Sequence, residues 1–462
     1  MAGGRKQWGA CIAVTVTIFV SLARGARAET STEEMRRELE TMRNELRRMQ
    51  ERIDRQEELI RKLETEKAAP PAAVAAAPAP PPPARPPWSP AAPIALFSTG
   101  KSYLNLSFDA LVDGGWSTRR DVTAIQTGDH DPLQRGFTIP NAELFLDGAV
   151  DPYFKGAANL VFKLDEDNET EVELEEVYLT TTALPWNLQA KAGQFFTEFG
   201  RQNPQHPHAW EFVDQPLVLG RMFGPEGLRN PGTRLSWLAP TPFYSELFLT
   251  AQNSHGGTAF SFRNADDALF GRPPVDRPVR DPGDLLYTPR YAASFDLTDS
   301  QTIVTGVSGA FGPNASGTDT RTEIYGGDVF WKWKPPSQAG GFPFVSVQAE
   351  ALGRRYEAGA TDGLPRETLR DWGGYAQVVY GFVQRWTAGL RGDWVSGDRG
   401  VFGPDENRAD RFRVSPAVTF YPSEFSKIRL QYNYDHGQLL GDDSSVWVQL
   451  EFLLGAHAAH KF

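Results

Sequence analysis

The sequence predicts an all-β chain: an antiparallel transmembrane β-barrel of about sixteen strands, preceded by an α-helical coiled coil. Three observations carry that expectation. Apolar and polar residues alternate with period two in segment after segment from Lys101 to Phe462. The connections between those segments run short, then long, then short. Four heptads with an apolar seam fill residues 31–66, ahead of a stretch that is almost only Ala and Pro.

The elements follow in chain order. An apolar run from Trp8 to Leu22 is preceded by Arg5 and Lys6 and followed by Ala26-Arg27-Ala28, the layout of a secretory signal peptide, so residues 1–28 are expected to be removed. The single cysteine, Cys11, lies inside that segment, which leaves the mature chain without disulfides or thiol chemistry. Loss of Arg5, Lys6, Arg24 and Arg27 takes the formal charge from -11 to -15, and so acidic a chain is a poor partner for nucleic acid. A mean hydropathy of -0.41 excludes a bundle of membrane helices.

Between residues 31 and 66, Leu39, Leu46, Ile53 and Ile60 recur every seven residues, with Met42, Met49, Gln56 and Leu63 three places behind each. Charged residues fill most other positions. So narrow a seam cannot bury itself on its own helix, and a parallel coiled coil is expected. Residues 67–96 read as a Pro- and Ala-rich linker, extended at about 3 Å per residue, and 97–462 as the barrel.

Within the barrel, strands are expected to start near residues 102, 137, 153, 172, 187, 232, 243, 288, 301, 322, 344, 373, 386, 410, 426 and 444. The segment Phe154 to Leu164 shows the pattern: Gly156, Ala158, Leu160 and Phe162 take one face, while Lys155, Asn159 and Lys163 lie on the other. Asp299-Ser300 and Gln384-Arg385 are typical short connections, and Thr197 to Pro231 and Ser254 to Tyr287 typical long ones. Two connections break the rhythm, Pro335 to Pro343 by being long and Asp165 to Glu171 by being short. Aromatics near strand ends, among them Trp186, Trp237, Phe243 and Trp386, suit interfacial girdles.

Signal peptide, coiled coil, Pro-rich linker and a sixteen-strand pattern together resemble the trimeric outer-membrane porins, specifically the phosphate-selective porin O and P superfamily and its relatives with an N-terminal periplasmic coiled coil. The resemblance implies a homotrimer in outer-membrane lipid, each barrel a channel for passive diffusion of small hydrophilic solutes, with the coiled coil in the periplasm; the coiled coil and stiff linker are themselves expected to reach peptidoglycan or a periplasmic protein. It also implies a third external loop folded inward, which here is residues 197–231. Its constriction residues are expected to be Arg201, His206, His208, Glu211, Asp214 and Glu226. The basic ladder of the phosphate specialists has no counterpart in this sequence.

Strand parity supplies the expected pore wall. Glu143, Asp147, Glu173 and Glu175 form an acidic side, and Arg391, Arg411, Arg413 and Arg429, with Lys427, a basic side facing it across a water-filled lumen. Neither a cofactor nor a resident metal is expected. The alternative is a chelate at His206 and His208, with Glu211, Asp214 or His255 adding ligands. Seven scattered histidines and the lack of a G-x-S-x-G or H-E-x-x-H pattern argue against an enzyme, so no catalytic residues are assigned. A ligand- or metal-specific uptake protein and an envelope tether working through the coiled coil are the competing functions.

Overall fold

The structure, a computed structural model, describes residue 58, residues 93–100, 102–264, 268–336 and 341–455. The chain divides into two units, Met1–Arg85 and Pro86–Phe462. In the first, Glu58 is helical. The signal peptide, the rest of the coiled coil, most of the linker and the aromatic terminus Phe462 lie outside the described residues.

The second unit is a closed antiparallel barrel of sixteen strands, β2 to β17, joined in sequence order and sealed by β17 against β2. Its strands are β2 (Tyr103–Ser117), β3 (Gly136–Ala149), β4 (Phe154–Leu164), β5 (Thr170–Thr181), β6 (Leu188–Phe196), β7 (Arg229–Leu238), β8 (Tyr244–Asn253) and β9 (Leu285–Thr298). They continue as β10 (Gln301–Pro313), β11 (Arg321–Trp333), β12 (Phe344–Ala358), β13 (Glu367–Val383), β14 (Trp386–Gly397), β15 (Arg411–Ser423), β16 (Ser426–Gly437) and β17 (Gly441–Leu454). Closure pairs every strand on both sides, which satisfies most backbone donors and acceptors within the ring; β5 meets β6 only over Val177–Thr180, and the side chains of Gln194 and Arg229 donate to the carbonyls of Leu174 and Glu175 beyond that contact.

A further strand, β1 (Ile94–Ser98), was not anticipated and takes the last residues assigned to the linker. It pairs with Tyr103 to Leu106 at the foot of β2. Leu454, where β17 ends, lies opposite Phe108, so β1 occupies the part of that β2 edge which β17 leaves uncovered.

Most of the short turns lie at one end, although the connections β4–β5 and β16–β17 at the other end are also brief. Asp299 and Ser300 join β9 to β10, and Gln384 and Arg385 join β13 to β14, with Arg385 in the left-handed region at φ 72°. At the other end, the brief connection after β4 is a tight turn in which Asp165 Oδ1 accepts from the amides of Asp167 and Glu169, at 2.9 and 2.8 Å. Asn168 there takes φ 62°, a left-handed conformation that asparagine tolerates.

Burial is inverted relative to a water-soluble sandwich. Large apolar side chains such as Leu249, Leu390, Leu430 and Val448 are exposed on the outside, while Arg391, Arg413, Arg429 and Glu143 are buried inside. The apolar core lies within the lumen: loop residues Phe199, Leu217, Val218, Met222, Phe223 and Phe262 pack on Ile324, Leu352, Tyr375 and Val395 of the inner wall.

Candidate functional site

The loop between β6 and β7 runs into the barrel. Its neck is held by Asn203, whose Nδ2 donates to the carbonyls of Thr197 and Leu228 at 2.8 and 3.0 Å, while the Leu228 amide donates back to Asn203 Oδ1 at 2.8 Å. The loop therefore ends at residue 228, and Arg229 and Pro231, expected in it, begin β7. Glu350 on β12 accepts from the amides of Arg201 and Gln202 at 3.1 and 2.7 Å. The Arg201 guanidinium lies 4.0 Å above the Phe330 ring and donates to Gln348.

His206 and His208 meet the acidic sector. His206 Nδ1 lies 2.8 Å from Glu175 and Nε2 3.0 Å from Glu176, with Asn159 3.1 Å from Nδ1. Burial lowers the His206 pKa, but Glu175 and Glu143 outweigh it and hold the imidazole well above its ordinary value. His208 stacks on His206 at 5.8 Å and approaches Glu143 at 3.4 Å.

Glu176 is inward because of a β-bulge. Register shifts between Asn159 and Leu160, so Glu175 is skipped in the pairing and both glutamates turn into the lumen. Strict alternation had placed Glu176 outside, and the Glu175-Glu176 doublet was the one sign of a break. His130, from the loop between β2 and β3, reaches the same sector at 3.5 Å from Glu175.

Further along, Trp210 and His208 are gripped by their carbonyls, which accept from Arg429 at 2.7 Å and Lys427 at 2.6 Å. Asp214 accepts from Arg391, Arg413, Gln431 and Asn433, all within 2.9 Å. Burial raises the Asp214 pKa, but Arg391 and Arg413 more than offset it and bring the carboxyl down to about 2. After it comes α1 (Leu217–Phe223), a short helix whose five apolar residues are all buried, while Gly220 and Arg221 are half-buried. Glu226 pairs with Arg229 and, at 3.2 Å, with Lys163, while Glu173 also meets Arg229. Glu211 is half-buried, and Asp147 accepts from Asn105 at 3.4 Å.

The basic sector on β14 to β16 and the acidic sector on β3 and β5 come closest at β16 and β3, with β17 and β2 between them, while β14 and β5 lie seven strands apart in the ring of sixteen. The loop lies over both, placing its imidazoles on the carboxylates and Asp214 on the guanidiniums. Arg411 and Arg413 also share Asp435. The extra metal ligands considered for the histidines are elsewhere: Asp214 is held by arginines, and His255 is half exposed beside Asp276.

A second inward loop was missed. Residues 118–135 bring Val122 and Ile125 onto Trp447 and Val213, and the Ile125 carbonyl accepts from Arg413 at 2.7 Å. Asp131 Oδ1 accepts from the Gln215 amide at 2.8 Å, which clasps the two loops together. Cavities of about 440 Å³ and about 560 Å³ remain, the first toward the long-loop rim beside Arg221 and Arg411, the second under the β6–β7 loop beside Lys191, Arg234 and His206.

No family model matches the chain. An uncharacterised protein of Aquifex aeolicus (strain VF5) is 35% identical over 352 residues, 71% of each chain. The chain belongs to the family of that Aquifex protein. Among solved structures, the outer membrane channel DcaP of Acinetobacter baumannii superposes with a TM-score of 0.53 at 15% identity, over 77% of this member and 99% of DcaP. The anion-selective porin from Comamonas acidovorans gives 0.48 at 8% identity, over 77% and 100%. The fold of this family member is thus a sixteen-stranded antiparallel barrel of the kind seen in DcaP.

Proposed function

We propose that this protein is an outer-membrane channel for passive diffusion of small hydrophilic solutes, constricted by residues 197–228. The observation that carries the reading is the inside-out barrel: an apolar outer wall around a lumen lined with charged side chains, into which long loops fold, the β6–β7 loop being fixed by ionic contacts on two sectors. An apolar exterior suits hydrocarbon, and a polar interior keeps a solute path hydrated. DcaP, which shares the fold, is described as an outer membrane channel.

In this reading solutes collect in the cavity at the long-loop rim, pass the histidine-bearing segment, and leave through the larger cavity below it. Arg201, His206, His208, Glu211, Asp214 and Glu226 act mainly by placing the loop, and the lower cavity carries mixed charge from Lys191, Arg234, Glu176 and Glu198. A homotrimer belongs to the same proposal. Support for it is the low rim at the tight β4–β5 turn, above outward-facing small residues Ala142, Gly156 and Ala158.

The test is single-channel recording in planar bilayers with full-length protein. Discrete conductance steps are expected, and replacement of residues 204–213 by a shorter Gly-Ser segment should enlarge them. A properly folded protein that yields no steps would overturn the channel reading.

A further inference from the structure

The geometry points to a divalent-cation site on the inner wall, formed by Asp109 of β2, Glu143 of β3 and His208 of the β6–β7 loop. One donor atom from each of these residues lies within 4.8 Å of the others. His208 Nδ1 is 3.4 Å from Glu143, close to the separation of two donors around a tetrahedral ion with bonds of about 2.0–2.2 Å.

Two further observations call for a cation. Asp109 and Glu143 are direct partners across the β2–β3 ladder, and both are fully buried. Like charges placed opposite one another on adjacent strands repel, and the more so away from water. Moreover, both carboxylate oxygens of Asp109 are buried without a hydrogen-bond partner, which is costly for an acceptor that could otherwise be solvated. An ion between the two carboxylates removes both penalties at once.

The neighbouring charge does not fill that role. Lys427 is engaged by Glu451 and by the His208 carbonyl, the latter at 2.6 Å. His206 directs its nitrogens to Glu175 and Glu176 and stands 3.7 Å from Glu143, so its charge offsets part of the repulsion at Glu143 but leaves both oxygens of Asp109 without a hydrogen-bond partner. One imidazole and two carboxylates with a fourth position for water make a donor set suited to zinc or a similar first-row ion. Bound there, the ion joins β2, β3 and the loop, and so fixes the loop's position over the acidic sector.

The experiment uses full-length protein in detergent, stripped with EDTA, desalted, and titrated with ZnCl2 by calorimetry, with metal per chain counted by mass spectrometry. One zinc per chain is expected, lost in both Asp109→Asn and His208→Ala. To keep the test independent of how the variants fold, the loaded wild type is also measured by zinc X-ray absorption, where a nitrogen and oxygen shell containing a single imidazole is expected. Absence of stoichiometric zinc in the wild type, a shell with two imidazoles, or zinc that survives Asp109→Asn but is lost in Glu175→Gln each overturns the assignment. Conductance of the stripped protein addresses the channel reading separately.

Discussion

The carboxylate of Asp214 lies 2.8 Å from the guanidinium of Arg413, and neither side chain exposes any surface to solvent. One belongs to a loop and the other to the barrel wall, so the contact decides where the loop rests. Breaking a buried ion pair from one side typically costs about 3–5 kcal/mol, because the remaining charge stays buried without its partner.

Asp214→Asn is therefore expected to free the loop while the barrel stays closed. Limited proteolysis should cut within residues 199–228 in the variant and not in the wild type, and thermal melting in detergent should fall. Acid acts on the same contact. A carboxyl depressed to about 2 in the folded chain contributes stability that is present above its unfolded value of about 3.9 and is lost as pH falls through about 2. Loop protection measured by pepsin should accordingly persist at pH 4 and fail toward pH 2.

Leu430, half exposed in the middle of β16, tests what surrounds the barrel. It faces outward between Val418 and Val448. Leu430→Arg at the centre of a lipid-facing wall costs about 2–4 kcal/mol, whereas an exposed surface change in water stays within about 0.5 kcal/mol. Equilibrium unfolding from lipid vesicles distinguishes the two, and the larger loss is expected.

Gly220 in α1 permits the two inward loops to touch. A Cβ there would stand 2.4 Å from Thr127 Cβ and 2.7 Å from the Thr127 carbonyl oxygen. The carbonyl cannot swing aside as a flexible side chain does, so Gly220→Ala should push residues 118–135 outward at a cost of about 1–3 kcal/mol. Raised protease sensitivity of that segment, with unchanged β-sheet circular dichroism, is the expected result.

Lys191 lines the lower cavity, with its ammonium 4.1 Å from the Tyr178 ring centre and 3.7 Å from Glu198. Lys191→Glu reverses one charge beside Glu176 and Glu198. Reversal potentials under a salt gradient should shift toward cation selectivity, and an unchanged potential would remove this cavity from the ion path.

Much of this was readable in the residues. Alternation is a local property, and barrel strands begin within a few residues of their expected positions, as β4 does at Phe154 and β12 at Phe344. The inward parity of Arg391, Arg413 and Arg429 follows from the same rule. What escaped was non-local. Glu176 is turned inward by a bulge whose cause lies in the β4–β5 register, and α1 is too short to show helical periodicity. How the acidic and basic sectors lie depends on counting the ring through its closure, which sets β16 three strands from β3 and β14 seven from β5. Asp109 gave no signal of its own, since its importance comes from the partner it meets across the ladder.

The seam between β17 and β2 also bears on how the molecule is built. Ser445 pairs with Ser117, so the contact that seals the cylinder joins segments on either side of nearly the whole barrel sequence. Until those strands meet, each carries an unsatisfied edge that can recruit a strand from another chain. By covering the foot of β2 from the immediately preceding residues, β1 acts as a built-in guard on that edge during assembly, leaving the remainder for the proper partner.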